Sequence, residues 1–337
     1  MAYIDSNLND PAKYFTTFLW TGDGTSPRSL TGVGFQANMM WSKIRDVGHE
    51  HSIVDDVRGV DNKRLKTDTN AAEDTTNTHG HFDSLDSDGF TVTGASGYYN
   101  VNRNTEPYVG WFWKESATAG FDIVSYTGNA TAGNTVSHSL SAVPKMIITK
   151  GRASTNNWSV YHEATGNGKA ILLNLDYAPQ DYTSFWNDTT PSSSVFTLGD
   201  GSDTNPSGTM IAYLWSEKKG FSKFGSFEGN NNADGAFVYL GFRPAWVMIK
   251  SSATGGSNYD WVIFDNKRNT FNVSDNTLDA NNNGAEVASG RNEVDFLSNG
   301  FKCRSSYADV NSSTTYIYMA FAESPFVNSN GVPNNAR

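Results

Sequence analysis

The chain has 337 residues, a formal net charge of −10, 31 glycines and 13% aromatic residues. This length exceeds what a single hydrophobic core usually serves. The aromatic content excludes an intrinsically disordered chain. The acidic balance, without a cluster of Lys and Arg, excludes a nucleic-acid partner. A single cysteine excludes an internal disulfide framework.

The N-terminus lacks the basic and apolar regions of a secretory signal, and no apolar run approaches the roughly 20 residues of a membrane span. We therefore expect a protein that is made in a cytoplasm and does not insert into a membrane. Residues 1–14 are polar and precede the patterned part of the chain. They are predicted to form an N-terminal docking arm or a frayed terminus.

From residue 15 onward, four landmarks recur three times in the same order. They are an aromatic-x-Gly turn, an apolar run closed by a lysine, a short strand-like segment and a final aromatic run. Their positions are 20–22, 126–128 and 227–229; 34–43, 142–150 and 241–250; 51–55, 158–162 and 261–265; 109–113, 211–215 and 317–321. Self-similarity at a fixed period indicates an internal repeat.

The repeat predicts three tandem units of about 100 residues, joined by short linkers and followed by a polar C-terminal tail. Unit 1 covers 15–114, unit 2 covers 121–217, unit 3 covers 221–327 and the tail covers 328–337.

Each unit shows short apolar runs between Gly- and Asn-rich turns, without helical periodicity, as at 15–20, 39–41 and 90–92 in unit 1. In unit 2 they are 121–126, 146–150, 158–162, 171–175, 195–198 and 210–215. Residues 55–80 look like a long surface loop. This pattern predicts an all-β fold of three antiparallel β-sandwich modules, of jelly-roll or lectin-like type. The period is too long for β-propeller blades.

Two His-x-His pairs raise the possibility of a zinc site: His49 with His51, and His79 with His81. Alternate residues of a strand point to one side, so both rings of a pair could face one ion. A third ligand would have to come from a nearby carboxylate, namely Glu50, Asp55 or Asp83. However, units 2 and 3 carry Trp158 and Trp261 at the position of His51. This alignment favours packing, and we expect no metal.

The acidic segment 83–89 resembles a calcium loop but lacks its full ligand spacing. Unit 3 has Asn299-Gly300 where unit 1 has Asp88-Gly89. Both dipeptides tolerate the positive φ of a hairpin turn, so we predict a turn in both units.

Sequence signatures of catalysis are absent. There is no nucleophile elbow, no zinc-protease motif, no Walker loop and no dinucleotide fingerprint. The pair Asp55-Asp56 fits exposed loop acids as well as it fits a glycosidase. We expect no enzymatic activity, no catalytic residues and no cofactor.

Lys43, Lys150 and Lys250 close the apolar run of each unit. They could belong to a ligand or interface site repeated three times, together with Trp158, Trp261 and Arg268. Alternatively, each lysine protects a strand end or edge from pairing with another chain. The aromatic runs at 111–113, 213–215 and 318–321 leave a similar choice. One face of each is expected in the core, and the other either packs on a neighbouring unit or subunit or stacks on sugar rings.

The chain resembles a family of uncharacterised repeat domains abundant in marine bacteriophage and cyanophage genomes. The segments that carry the resemblance are 125–129, 241–250, 261–268, 295–302 and 316–323. Unit 3 matches best, and unit 2 departs most, with Ala142-Val143 in place of Gly-Phe. The resemblance implies a virion structural or tail-fibre protein without catalytic residues.

We therefore expect a non-enzymatic virion surface protein, part of a tail fibre or similar appendage, that contacts the host surface. One alternative is a capsid decoration, cement or head-fibre protein, and a second is a carbohydrate-binding or polysaccharide-degrading module. The expected partners are other virion proteins and a host-surface glycan or protein. The expected location is the virion, assembled in the host cytoplasm. A homo-oligomer, specifically a trimer, is expected from the usual symmetry of such assemblies.

Overall fold

The computed structural model describes residues 8, 10–76, 80–94, 100–288 and 290–323. Within these residues the chain is almost entirely β, which confirms the all-β prediction. After a one-turn 3₁₀ helix at Pro11–Lys13, unit 1 has seven strands. They are β1 (Phe15–Thr21), β2 (Arg28–Thr31), β3 (Met39–Ile44), β4 (Ser52–Asp55), β5 (His81–Asp86), β6 (Gly89–Thr93) and β7 (Pro107–Trp113).

Unit 2 contains eight strands and one helical turn. They are β8 (Phe121–Thr127), β9 (Asn134–Ser137), β10 (Met146–Gly151), β11 (Ser159–His162), β12 (Lys169–Leu172), β13 (Gln180–Asp181), α1 (Thr183–Trp186), β14 (Val195–Leu198) and β15 (Thr209–Trp215). The strands of unit 3 are β16 (Ser222–Glu228), β17 (Phe237–Tyr239), β18 (Pro244–Ser251), β19 (Val262–Asp265), β20 (Asn276–Asp279), β21 (Val287–Ala288), β22 (Val294–Leu297), β23 (Gly300–Cys303) and β24 (Thr315–Ala322). None of the helices in the described part of the chain has the length and apolar character needed to cross a membrane.

Each unit contributes one large and one small antiparallel sheet. The large sheets have the strand orders β1-β7-β3-β4, β13-β12-β11-β10-β15-β8 and β16-β24-β18-β19-β20-β21. The small sheets have the orders β2-β6-β5, β14-β9 and β17-β23-β22. The predicted hairpins are present, because β5 joins β6, and β22 joins β23, through two-residue loops. The positive φ on which that prediction relied is not found, since neither Asp88-Gly89 nor Asn299-Gly300 adopts it.

The small sheet of each unit covers one face of the large sheet. Aromatic ring pairs join the two layers in every unit, for example Phe90 and Phe112 at 5.5 Å, Tyr126 and Phe196 at 6.1 Å, and Phe301 and Tyr318 at 5.7 Å between ring centroids. Each interlayer core is a separate apolar cluster drawn from a single unit. The layered β-sandwich character expected from the sequence is therefore present.

The other faces of the three large sheets meet in one shared core. β3 shows the alternation, since Met39 and Trp41 point into the shared core while Met40 and Ile44 point into the core of unit 1. A strand that is covered on both faces has a continuous run of apolar residues in its sequence. This arrangement explains why all six residues of β3 are buried.

Aromatic rings from different units touch in the shared core. The ring centroids of Trp113 and Trp215 are 6.3 Å apart, those of Trp113 and Trp246 are 5.8 Å apart, and those of Phe15 and Phe321 are 4.8 Å apart. The recurrent aromatic runs therefore pack on neighbouring units. The alternative that their second face stacks on sugars is wrong, because these side chains are buried.

The chain termini lie partly outside the described residues. Of the expected docking arm, residues 8 and 10–14 are described, and the Leu8 side chain is fully buried in the shared core. This part of the arm thus packs on the chain itself. The expected C-terminal tail, 328–337, lies outside the described residues, as do the last residues of unit 3, 324–327.

Candidate functional site

The three repeated lysines are buried, at 2% exposure for Lys43 and 0% for Lys150 and Lys250. Each stands on a strand that lies between two others in its large sheet. The explanation that they protect strand edges is therefore wrong. The sequence showed a lysine at a strand end, but both faces of that strand are covered by other layers.

Backbone carbonyl groups surround the lysine ammonium groups. Lys150 Nζ donates to the oxygens of Asn156 at 2.9 Å and of Asn70, in unit 1, at 3.2 Å. Lys250 Nζ donates to the oxygens of Tyr259 at 2.7 Å and of Asp176, in unit 2, at 3.1 Å. Two of the three lysines thus join neighbouring units.

Lys43 Nζ donates to the oxygens of Ile44 and Val47 in its own unit, at 2.8 and 3.3 Å. Loss of water around the charged amines lowers the pKa of each of the three lysines to about 8. The carbonyl oxygens replace part of the lost hydration.

A second repeated position closes a ring of contacts between the units. Trp158 Nε1 of unit 2 donates to Lys66 O of unit 1 at 2.8 Å, and Trp261 Nε1 of unit 3 donates to Leu172 O of unit 2 at 3.0 Å. In unit 1, His51 Nε2 is 3.0 Å from Asp279 O of unit 3. Each unit therefore contacts the other two through equivalent residues.

Both ring nitrogens of His51 are used. Nδ1 accepts a hydrogen bond from Trp41 Nε1 at 2.9 Å, so the proton of the neutral ring is on Nε2 and points to Asp279 O. Burial, followed by the charge of Lys43, lowers the pKa of His51 to about 3. Neither nitrogen is free for a metal ion.

The second histidine pair is only partly visible, because His79 lies outside the described residues. His81 Nε2 is 2.8 Å from Asp83 and 3.5 Å from the exposed Asp61, and the three form a cluster that could hold an ion. A metal-binding imidazole normally donates its other N–H to an acceptor. Nδ1 of His81 is buried and has no such partner among the described residues. A polar contact between His81 and the two aspartates explains the cluster better than a metal site.

Buried ion pairs reinforce two of the inter-unit interfaces. In unit 1, Arg58 Nε lies 2.5 Å from Asp55 and its Nη1 lies 3.0 Å from Glu73, which also binds Arg152 of unit 2 at 2.9 Å. Tyr213 OH, also of unit 2, donates to Asp55 at 2.6 Å. Asp55 is thus a buried structural acid, and of the two alternatives left open for Asp55-Asp56, that of an exposed loop acid does not hold at this position.

Unit 3 has an equivalent set of ion pairs at its interface with unit 1. Arg268 Nε lies 2.5 Å from Asp265 and its Nη1 lies 3.2 Å from Glu286, which binds Arg45 of unit 1 at 2.7 Å. Trp111 Nε1 donates to Asp265 at 3.1 Å. Arg268, one of the sequence-derived candidates, is therefore a positioning group at an internal interface.

At the interface of units 2 and 3, His162 takes the register position of Asp55 and Asp265. Its Nε2 lies 3.2 Å from Tyr318 O, and its Nδ1 accepts from Ala164 N at 3.2 Å. Burial lowers the pKa of His162 to about 4. This interface uses a neutral imidazole where the other two use ion pairs.

One further group of repeated residues was not among the candidates: the fully buried asparagines Asn102, Asn205 and Asn311. Each binds the loop that follows the aromatic-x-Gly turn. Asn311 Nδ2, for example, lies 2.9 Å from Asn230 Oδ1, 2.7 Å from Asn232 O and 2.8 Å from Ser305 O. Their spacing in the sequence could have revealed them, because in every unit an asparagine stands eight or nine residues before the middle of the last aromatic run.

Of the candidate residues, Lys150, Lys250, Trp158, Trp261 and Arg268 thus lie at interfaces between units, whereas Lys43 binds within its own unit. Among curated proteins and among solved structures, no match was found. A family model described as a domain of unknown function, DUF7483, matches residues 10–325 and so spans all three units together. The chain belongs to the DUF7483 family.

Proposed function

We propose that this chain is a non-enzymatic structural protein on the surface of a phage particle, where it forms part of a tail fibre or similar appendage and contacts the host surface. The observation that carries the proposal is the ring of three β units around one aromatic core. Such a body is a rigid scaffold that can present loops and strand faces outward.

The chemistry of the interfaces supports a structural role. Lys150 and Lys250 donate to carbonyl oxygens of the neighbouring unit, and Arg58 and Arg268 bind Glu73 and Glu286, which pair with arginines of the neighbouring unit. Catalytic groups must reach a substrate, whereas these groups face other parts of the same chain. Their role is to position the units against one another.

A second candidate is a decoration subunit of the phage head. The observation that favours it is the three-fold repetition of similar units within one chain, which matches a three-fold position of a shell. The N-terminal Leu8, buried in the shared core, also makes the body compact.

Localisation on purified particles tests the proposal. Particles would be labelled with gold-conjugated antibodies raised against unit 2 and imaged by electron microscopy. Label on fibres or the tail tip supports the appendage role, and soluble protein should then compete with adsorption. Label over the head supports decoration instead. Absence of label from intact particles that carry a labelled control protein would overturn both.

The homotrimer expected from sequence requires its own test, because one chain already contains a three-unit ring. The chain mass is 36.8 kDa. Light scattering after gel filtration at micromolar concentration separates the two states: the monomer mass contradicts the trimer, and three times that mass supports it.

A further inference from the structure

The small sheets of the three units differ at one exposed strand face. On β17, Phe237 and Tyr239 are 48% and 59% exposed, while Val238 between them is buried. The strand pairing shows which residues of units 1 and 2 are equivalent to Phe237 and Tyr239. Val238, Leu30 and Val136 each pair with an inward phenylalanine, namely Phe301, Phe90 and Phe196. The equivalent residues flank Leu30 and Val136. They are Ser29 and Thr31 in unit 1, and Thr135 and Ser137 in unit 2.

Phe237 and Tyr239 lie on the same face of β17. Side chains two residues apart on a strand project to the same side, about 7 Å apart. Tyr239 pairs with Gly300, which has no side chain, and Phe237 pairs with Lys302. Among the residues that the structure describes, no other strand face exposes two large aromatic side chains.

Charged groups lie next to the two rings. Lys302 forms an ion pair with Asp234, and Lys223 Nζ lies over the Tyr239 ring, 5.2 Å from its centroid. These groups supply hydrogen-bond donors and an acceptor beside the aromatic surface. A small polar ligand with one apolar side fits this combination.

A protein partner fits less well. Two half-exposed aromatic side chains offer about 200 Å² of surface, whereas a stable protein interface needs about 800 Å² from each partner. Addition of a peptide strand is also opposed. β17 is an edge strand, but Lys223 Nζ donates to Tyr239 O at 2.8 Å and occupies that acceptor.

We propose that the Phe237/Tyr239 face binds a glycan built of neutral pyranose rings. The C–H side of a pyranose is apolar and carries partial positive charge on its hydrogens, which suits the negative face of an aromatic ring. Two rings on one strand accommodate successive sugars, and the bordering charged groups bind their hydroxyls. The inference rests on the proposed contact with the host surface and names its chemistry.

The test uses the full chain and three probes: maltohexaose, cellohexaose and laminarihexaose. Saturation-transfer NMR and calorimetric titration measure binding to the wild type and to the F237S/Y239T double variant, which gives unit 3 the residues of unit 1. We expect the wild type to bind at least one probe and the double variant to lose about tenfold or more in affinity. Because both side chains are exposed, the thermal unfolding curve should not change.

Phe271→Ser is the matched control, since Phe271 is 84% exposed but lies outside the face. Its binding should equal that of the wild type. Binding of no probe by the wild type, equal binding by the double variant, or equal loss in the control would each overturn the proposal. A change in oligomeric mass of the double variant would also overturn it, because the face would then be a contact between copies of the chain.

These outcomes are separable from those of particle localisation. Loss of sugar binding in F237S/Y239T supports the glycan site even if the protein is absent from particles, in which case only the proposed function fails. Label on fibres combined with no sugar binding leaves the function intact and removes the glycan site.

Discussion

The indole N–H of Trp158 donates to the backbone oxygen of Lys66, 92 residues earlier in the chain, at 2.8 Å. Both groups lie at the interface between units 1 and 2, and the ring of Trp158 is fully buried. The same contact recurs from Trp261 to Leu172 O and from His51 to Asp279 O. One hydrogen-bonding position, used three times, closes the ring of units.

Trp158→Phe should therefore lower the free energy of unfolding by about 1–3 kcal/mol, because it leaves the oxygen of Lys66 buried without its donor. Chemical denaturation measures the change. Trp186→Phe is the matched control, since Trp186 is equally buried but its Nε1 has no hydrogen-bond partner among the described residues. Equal losses in the two variants would show that the hydrogen bond contributes nothing beyond ring packing.

Lys150→Met should also destabilise the fold. Methionine keeps the apolar stem but removes the donor that serves Asn70 O and Asn156 O, so the loss should be about 2–3 kcal/mol. The control is Lys145→Met, because Lys145 forms a surface ion pair with Glu163 that should be worth less than about 1 kcal/mol. A Lys150→Met variant as stable as Lys145→Met would contradict a structural role for the buried amine.

The same lysine predicts a dependence on alkaline pH. The folded pKa of about 8 lies below the unfolded value of 10.5, so the unfolded chain binds more protons between these values. The free energy of unfolding contributed by Lys150 should therefore rise from pH 8 to pH 10.5. Denaturation of wild type and Lys150→Met across this range isolates the effect. The difference between the two should shift with pH in favour of the wild type, and a constant difference would contradict the lowered pKa.

The sequence predicted the strands with apolar runs and the turns between them, because alternation and Asn-Gly or Asp-Gly pairs are local signals. It missed β9, where Val136 is the one inward apolar side chain in a stretch of Asn, Thr and Ser. Alignment of His51 with Trp158 and Trp261 correctly favoured packing over metal binding. That inference used the repeat itself and needed no knowledge of the tertiary structure.

The interfaces could not be predicted, because they depend on which units meet. Lys150 and Asn70 belong to different units, and nothing local to either residue indicates the contact. Segment 55–80 was expected to be a surface loop, yet it carries Lys66, Asn70 and Glu73, all bound to unit 2. Every residue has a backbone carbonyl, so the type of side chain does not show which carbonyl accepts a hydrogen bond from another unit.

Asn311→Asp should destabilise unit 3 although it changes one atom. The buried amide donates to Asn230 Oδ1 and to two backbone oxygens, and a carboxylate cannot donate to any of them. We expect a loss of about 2–4 kcal/mol in the free energy of unfolding. Asn167→Asp, at a half-buried position where the amide makes a solvent-exposed hydrogen bond to Thr190, should change it by less than about 0.5 kcal/mol. Similar small changes in both variants would show that the loop does not depend on the buried amide.

The buried His162 should make the folded chain less stable in acid. Its Nδ1 accepts from Ala164 N, so a proton added there would face an N–H donor in a buried site. The folded pKa of about 4 lies below the ordinary histidine pKa of 6.5, and the unfolded chain therefore binds more protons between these values. The free energy of unfolding should fall as the pH drops from 6.5 to 4.

His162→Gln keeps a donor for Tyr318 O but cannot titrate, so its stability should fall less steeply over the same range. His51, with a folded pKa of about 3, and His138, whose pKa is also lowered by burial, remain in the variant and contribute to the residual slope. Identical slopes for wild type and variant would show that His162 does not titrate on unfolding.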